Sequence, residues 1–494
     1  MNTGGPPTTD RDQPDRLDQA RARPLPPGTR LRADPSLRRR DAGRLLIGGS
    51  PLRFVRITGA GAAIVTSWLA GEPVADSAGS SKLARRLIDA GMLHPEPPPV
   101  SADPLPELTV VIPVKDDPTG LATTLDGLPD VEVIVVDDGS QDPVRVEAVV
   151  RSGGSGARCK RRVVRRDAAG GPGLARQCGL TLVSTALVAF IDAGVETTST
   201  TLVDLGRWFA DPEIVAVGPR VASVPGTDRL SRYEQRRSPL DLGPSPAAVG
   251  GESPVTYLPT ACLLARTEAV NEVGGFDPAL RWGEDVDLVW RLLDHGHVRY
   301  DPTIVVHHPP RPSLQAFVRQ RIGYGSAAGP LAKKHGSRLA PVRMSGWSLA
   351  CWALVLSGRG RLGLALAAGT TVALRRKLES VLPDPGVEAV LLAGKGHWYA
   401  GRNVVGAATR AWWPATMISY LLGARRPARR AVALSLLGRL VFDTDGRPGD
   451  RLADVALGVV DDAAYGTGVW LSSIRTGSLD PLLPKLSEWP EKDG

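Results

Sequence analysis

Leu108-Thr-Val-Val-Ile-Pro-Val114 is the first of four short strand-like runs, three of them almost wholly apolar. Val131-Glu-Val-Ile-Val-Val136, Arg162-Val-Val-Arg165 and Leu187-Val-Ala-Phe-Ile191 follow it, with helical stretches between them at Thr119–Leu128 and Gly173–Thr185. A strand covered on one face only alternates apolar and polar residues. Runs that are apolar at nearly every position predict strands covered on both faces, as in a parallel sheet sandwiched by helices. The fold class read here is therefore α/β with a mostly parallel sheet. In such sheets function collects beyond the carboxyl ends of the strands.

Several runs deliver polar residues to that edge. The second ends in Asp137-Asp138-Gly139-Ser140, whose carboxylates can accept from the N3–H and ribose hydroxyls of a uridine; an ordinary Asp-Gly-Ser turn is the competing reading. The third is followed by Gly171-Pro-Gly-Leu-Ala-Arg-Gln177, a glycine turn opening a helix. Its N–H groups, with Arg176, suit an anionic diphosphate, unless it is a plain strand-to-helix turn. The fourth ends in Asp192-Ala-Gly194-Val-Glu196, where a divalent cation is one partner for a carboxylate at the end of an apolar strand. Further on, Glu284 and Asp285 open a helix. Carboxylates are favoured there by the helix dipole, and one of the pair can also take a proton from an acceptor hydroxyl.

Outward from this core the texture changes on both sides. Residues 1–40, rich in Pro, Arg, Asp and Gly, read as a disordered leader. Residues 41–98 form a small unit: a hairpin over Arg44–Ile57 turning at Gly48-Gly49-Ser50-Pro51, helices near 61–70 and 82–90, a C-capping Gly91, and the stiff linker Pro95–Pro99. The α/β core spans 107–335. Residues 336–494 read as a largely helical tail, either packed on the core or lying at a membrane surface through Trp412, Trp413 and Arg425-Arg426.

The chain of 494 residues is 42% hydrophobic and 23% charged, which excludes wholesale disorder and coiled-coil or collagen-like architecture. Its formal charge of +8, taken as spread along the chain, points to small anions or a membrane surface and not to nucleic acid. Four scattered cysteines, no secretory signal and no apolar run of spanning length predict a reducing, cytoplasmic setting, with the inner face of the membrane as the alternative.

Taken in order, Ile112-Pro113, Asp137-Asp138-Gly139-Ser140, Gly171-x-x-x-Ala175-Arg176, Asp192, Gly274-Gly275-Phe276-Asp277, Glu284-Asp285 and Arg321-x-x-Tyr324-Gly325 resemble glycosyltransferase family 2, whose inverting enzymes have the GT-A fold. The resemblance implies a nucleotide-sugar donor, with Asp137 and Asp138 on the nucleoside, Arg176 and Asp192 on the diphosphate side, and Asp285 as base. It also implies Glu284 as a helper, Trp282 stacking on an acceptor sugar, and a divalent metal, Mg or Mn, held by Asp192. One position departs from the pattern. The family's second metal-holding Asp falls on Gly194, so Glu196 and His308, beside His307, are the substitutes.

The 41–98 unit is similar to PqqD-like peptide-recognition modules, winged-helix relatives. The combination, through Arg44–Arg56, Leu258–Cys262 and Arg281–Leu292, resembles the group of glycosyltransferases that act in mycofactocin biosynthesis. That resemblance implies β-1,4-linked glucose carried from UDP-glucose to a peptide-derived mycofactocin precursor. A membrane-associated transferase of cell-envelope polysaccharide and a non-catalytic nucleotide-sugar-binding protein are the alternatives.

Overall fold

The computed structural model describes residues 23–97, 107–152, 160–382, 384–423, 425–442 and 451–487. The chain divides into two compact units, one made of 1–222, 239–277 and 285–308, the other of 223–238, 278–284 and 309–494.

The first unit begins with the small module. Leu45–Gly48 and Arg53–Arg56 pair antiparallel as the hairpin reading predicts, and Arg38–Arg40 adds a third strand. Helices Gly59–Leu69 and Ala78–Asp89 start where the hydroxyls of Thr58 and Ser77 accept from the amides of Gly61 and Ser80. Their inner faces, with Leu46, Val65, Trp68, Leu87 and Ile88, close one apolar core. The ordered module extends further than the sequence reading. Arg30–Ala33, taken there as leader, pairs along its length with Leu93–Glu96, which includes the first residues taken as linker. Residues 1–22 of the leader and 98–99 of the proline stretch lie outside the described residues.

The main sheet has eight strands: β1 Leu108–Val114, β2 Glu132–Asp137, β3 Arg161–Arg165, β4 Leu187–Ile191, β5 Ile214–Ser223, β6 Ala247–Ala248, β7 Cys262–Arg266 and β8 His297–His308. They lie side by side as β6-β8-β5-β7-β4-β1-β2-β3. The four strands read from the sequence form the parallel half, β4-β1-β2-β3, joined by helices Pro118–Asp126, Pro143–Ser152 and Pro172–Leu180. β7 then runs antiparallel to β4 and β5. Strand addition reverses between β1 and β4, which creates a crevice at their carboxyl ends. Both faces are buried as the apolar runs require. Ile112, Val135 and Ile191 point into one layer, and Val111, Val136 and Phe190 into the other.

The second unit is helical, as the tail reading predicts. Helices Leu314–Ser326 and Arg451–Thr476 lie so close that a Cβ on Gly325 would stand 2.0 Å from the Tyr465 carbonyl. Arg321, fully buried on the first of them, reaches Glu234 at 3.4 Å and Asp461 at 3.1 Å. Among the described residues no helix is long and apolar enough to cross a membrane.

Candidate active site

The carboxyl edge of β1, β2 and β4 gathers the expected acidic residues in the first unit, with their oxygens already engaged. Asp137, 1% exposed, accepts from the Ser140 amide at 2.9 Å and from Arg165 at 2.5 Å. Asp138 accepts from Arg166 and from the amides of Gly170 and Gly171, the latter at 2.7 Å. The carboxylates meet protein cations and amides, which fixes where their oxygens stand at this edge. The glycine turn at 171, with φ of +94°, gives its N–H to Asp138.

Arg176 stands beside Asp192. It is 2% exposed, its guanidinium pairs with Asp192 and lies 5.8 Å from the Phe276 ring centroid. Phe276 meets Phe190 edge-on at 5.0 Å, and its amide donates to the Gln177 side chain at 2.7 Å. The Gly274-Gly275-Phe276 turn is clamped by Arg291, which donates to the carbonyls of Val273 and Gly275 while pairing at 2.7 Å with the fully buried Asp287. The motif therefore acts as a brace: Asp287 holds Arg291, Arg291 holds the turn, and Phe276 packs beside the arginine that neutralises Asp192.

The residues read as metal ligands do not fit a divalent cation in this arrangement. Asp192, 28% exposed at its side chain, is paired with Arg176. The extended path on which Glu196 stands in for position 194 is absent, because Asp192–Val195 is a turn closed by the Val195 amide on the Asp192 carbonyl at 3.1 Å. Gly194 has φ of +92°, and Glu196 forms a lone backbone bridge with His307, which leaves His308 on the opposite side of its strand. Among the described residues no three His, Cys, Asp or Glu side chains come together as a metal-holding group. The neighbouring Cys262 is inert, its thiol pushed up to about 12 by burial and by Asp192.

Lys115 and Asp116, at the end of β1, were not singled out from the sequence. Asp116 is a non-glycine residue with φ of +54°. Its carboxyl is held below the ordinary value by the Gln141 amide and by Lys115. Strain of this kind collects at functional edges. Lys115, 47% exposed and paired with Asp116, and Arg165, 40% exposed and paired with Asp137, are the most exposed of the paired cations described at this edge. The available signal was a Lys-Asp-Asp triplet immediately after an apolar strand.

Asp285 begins the face of helix Glu284–Leu292 that belongs to the first unit and is half-buried, its Oδ1 accepting from the Val286 amide at 2.8 Å. Glu284 and Trp282 belong to the second unit. Glu284 is buried; Trp282 stacks edge-on to Tyr324 at 5.6 Å and lies against Gly323. Arg321 of the trailing motif is held between acidic partners and the Phe317 ring.

A doubly covered sheet with this strand order, an acidic and cationic carboxyl edge and a braced glycine turn leading into an acidic helix start has the GT-A glycosyltransferase architecture. Residues 109–274 match the family model described as Glycosyl transferase family 2. Over 475 residues, 94% of this chain and 98% of the relative, the sequence is 34% identical to the "Pre-mycofactocin glycosyltransferase" of Mycobacterium tuberculosis, in both strain CDC 1551 / Oshkosh and strain ATCC 25618 / H37Rv. Among solved structures it is similar to a mannosyltransferase, PcManGT from Pyrobaculum calidifontis in complex with GDP-Man and Mn2+. That likeness has a TM-score of 0.42 at 16% identity, covering 78% of this chain and 92% of that one. The chain belongs to glycosyltransferase family 2. It is an enzyme that moves a glycosyl group from a nucleotide-sugar donor to an acceptor.

Proposed function

We propose that the protein is an inverting glucosyltransferase that joins glucose from UDP-glucose, in β-1,4 linkage, to the peptide-derived mycofactocin precursor. The observation that carries this reading is the end-to-end similarity to the pre-mycofactocin glycosyltransferase, which includes the N-terminal module as well as the transferase core. The module is the proposed PqqD-like holder of the peptide. Trp282 is the proposed platform for an acceptor sugar, with Glu284 beside the base.

In the proposed reaction the carboxylate of Asp285 takes the proton of the acceptor hydroxyl. The oxygen attacks the anomeric carbon from the side opposite the diphosphate; the new C–O bond forms as the bond to the leaving oxygen breaks, UDP departs, and the configuration inverts. Negative charge grows on the diphosphate as that bond breaks. Lys115 and Arg165, which are partly exposed although paired with Asp116 and Asp137, are the chain's own groups proposed to meet it, while Arg166 and Arg176 are more deeply buried against their carboxylates. Asp137 and Asp138 are the proposed partners of the nucleoside.

The test is mass spectrometry of mycofactocin species from cells lacking this protein. The reading expects the unglycosylated precursor to accumulate. Oligoglucosylated cofactor that persists at its normal level would sink it.

A further inference from the structure

We infer that residues 346–442 of the second unit form a surface that rests on an anionic lipid bilayer. The charge surplus is not evenly distributed, as the sequence reading took it to be. These residues hold 13 Lys plus Arg against three Asp plus Glu, a surplus of ten in a chain whose total is +8, so the remainder is slightly acidic. The same residues expose large apolar side chains. On helix Gly386–Thr409 one face carries Val387, Leu391, Lys395, Trp398 and Arg402, all exposed and spaced four, four, three and four apart. The opposite face, with Ala389, Ala400, Val404 and Ala408, is buried. The period is that of a single helical stripe. The following helix Trp413–Leu421 ends at Leu421, 67% exposed, and is followed by Leu422, 82% exposed, with Arg426 and Arg429 exposed just beyond them.

Tryptophan and leucine beside lysine and arginine suit the boundary between headgroups and acyl chains. Apolar side chains enter the boundary and long basic stems reach back to the phosphates. The helices lie along the bilayer surface and do not span it, since among the described residues none is long and apolar enough to cross. A second copy of the chain fits this face poorly, because a two-fold contact would bring a surplus of ten charges against itself. An anionic bilayer instead attracts the same charge.

The experiment is flotation of the full-length protein with vesicles of phosphatidylglycerol and phosphatidylcholine in equal parts, compared with phosphatidylcholine alone. Binding to the anionic vesicles is expected, weakening as salt is raised. Each basic residue near such a surface contributes about fivefold to partitioning, so Lys395→Gln with Arg402→Gln should weaken binding about 25-fold. Trp398→Ser with Leu422→Ser should weaken it as well. These side chains are exposed, so the unfolding temperature should hold, and its measurement separates lost binding from lost fold. Equal binding to both vesicle types, or none to either, overturns the inference. So does a dimer in sedimentation velocity that the Trp398→Ser change dissolves, because the face would then belong to a protein partner.

Discussion

Asp285 and Gly194 are the two residues on which the chemical account is most exposed. Asp285→Asn keeps the side chain's size and its acceptor oxygen toward Val286 but cannot take a proton. Turnover should fall about 10²–10⁴-fold, while UDP-glucose affinity measured by calorimetry stays close to that of the parent. Loss of donor binding in this variant would make Asp285 a donor-site or structural residue. Gly194→Asp restores the acidic residue usual in the family, and sequence alone suggests that it should strengthen divalent binding. The backbone opposes this. With φ of +92° at Gly194, a side chain is strained by about 1–2 kcal/mol, and the amide is committed to the Gly120 carbonyl and the Thr124 hydroxyl at 3.0 Å. The variant should melt at a lower temperature and show no gain in Mg or Mn affinity. A tighter metal complex at unchanged stability would restore the metal reading at this turn.

At the scale of elements, legibility followed from burial pattern. β1, β2 and β4 were readable because strands covered on both faces must be apolar at almost every position. β5 was missed because Gly218 and Pro219 interrupt its run, and β6 because two residues carry no period. The brace under the glycine turn was equally hidden. Asp287 and Arg291 stand four apart on a helix, the spacing of an exposed surface pair, and only the fold shows Asp287 fully buried with Arg291 reaching the 273 and 275 carbonyls. The Asp137 and Asp138 ends were legible as positions, but their arginine and amide partners, supplied by β3 and its loop, were not. Among the helices, the packing of Leu314–Ser326 on Arg451–Thr476 depends on bare backbone at Gly325 and Gly468. Gly325→Ala should lower stability by about 1–3 kcal/mol, the usual cost of overpacking, seen as a lower urea midpoint. An unchanged midpoint would mean that the two helices do not meet this closely.

For the molecule as a whole, the N-terminal module is tied to the transferase core by more than a linker. Arg85 makes a bidentate, buried pair with Asp211 at 2.6 and 2.7 Å, so removing the module strips Asp211 of its partner. Breaking such a pair from one side typically costs about 3–5 kcal/mol. Deletion is therefore a poor test of peptide binding, because stability falls with it. The same region sets a pH response. Burial, with Arg299 and Arg85 nearby, pushes His297 down to about 4, while Asp211 opposes the shift and Asp89 lies 3.5 Å away. Between that value and the ordinary value of 6.5 the unfolded chain binds the proton and the folded one does not. Stability should accordingly decline as pH drops from 6.5 toward 4, and change little on this group's account above 6.5. Thermal unfolding across that window checks it. His297→Gln should flatten the slope, and a slope unaltered by the change would assign it to other groups.

The central claim is that this fold transfers glucose to the mycofactocin precursor. Its most direct test is to incubate the purified full-length protein with UDP-glucose and the peptide-derived precursor, and to follow the precursor's mass together with UDP release. The precursor should gain hexose units in step with UDP, and the Asp285→Asn protein should leave it unmodified. A precursor that keeps its original mass while the wild-type protein glucosylates some other acceptor would contradict the account.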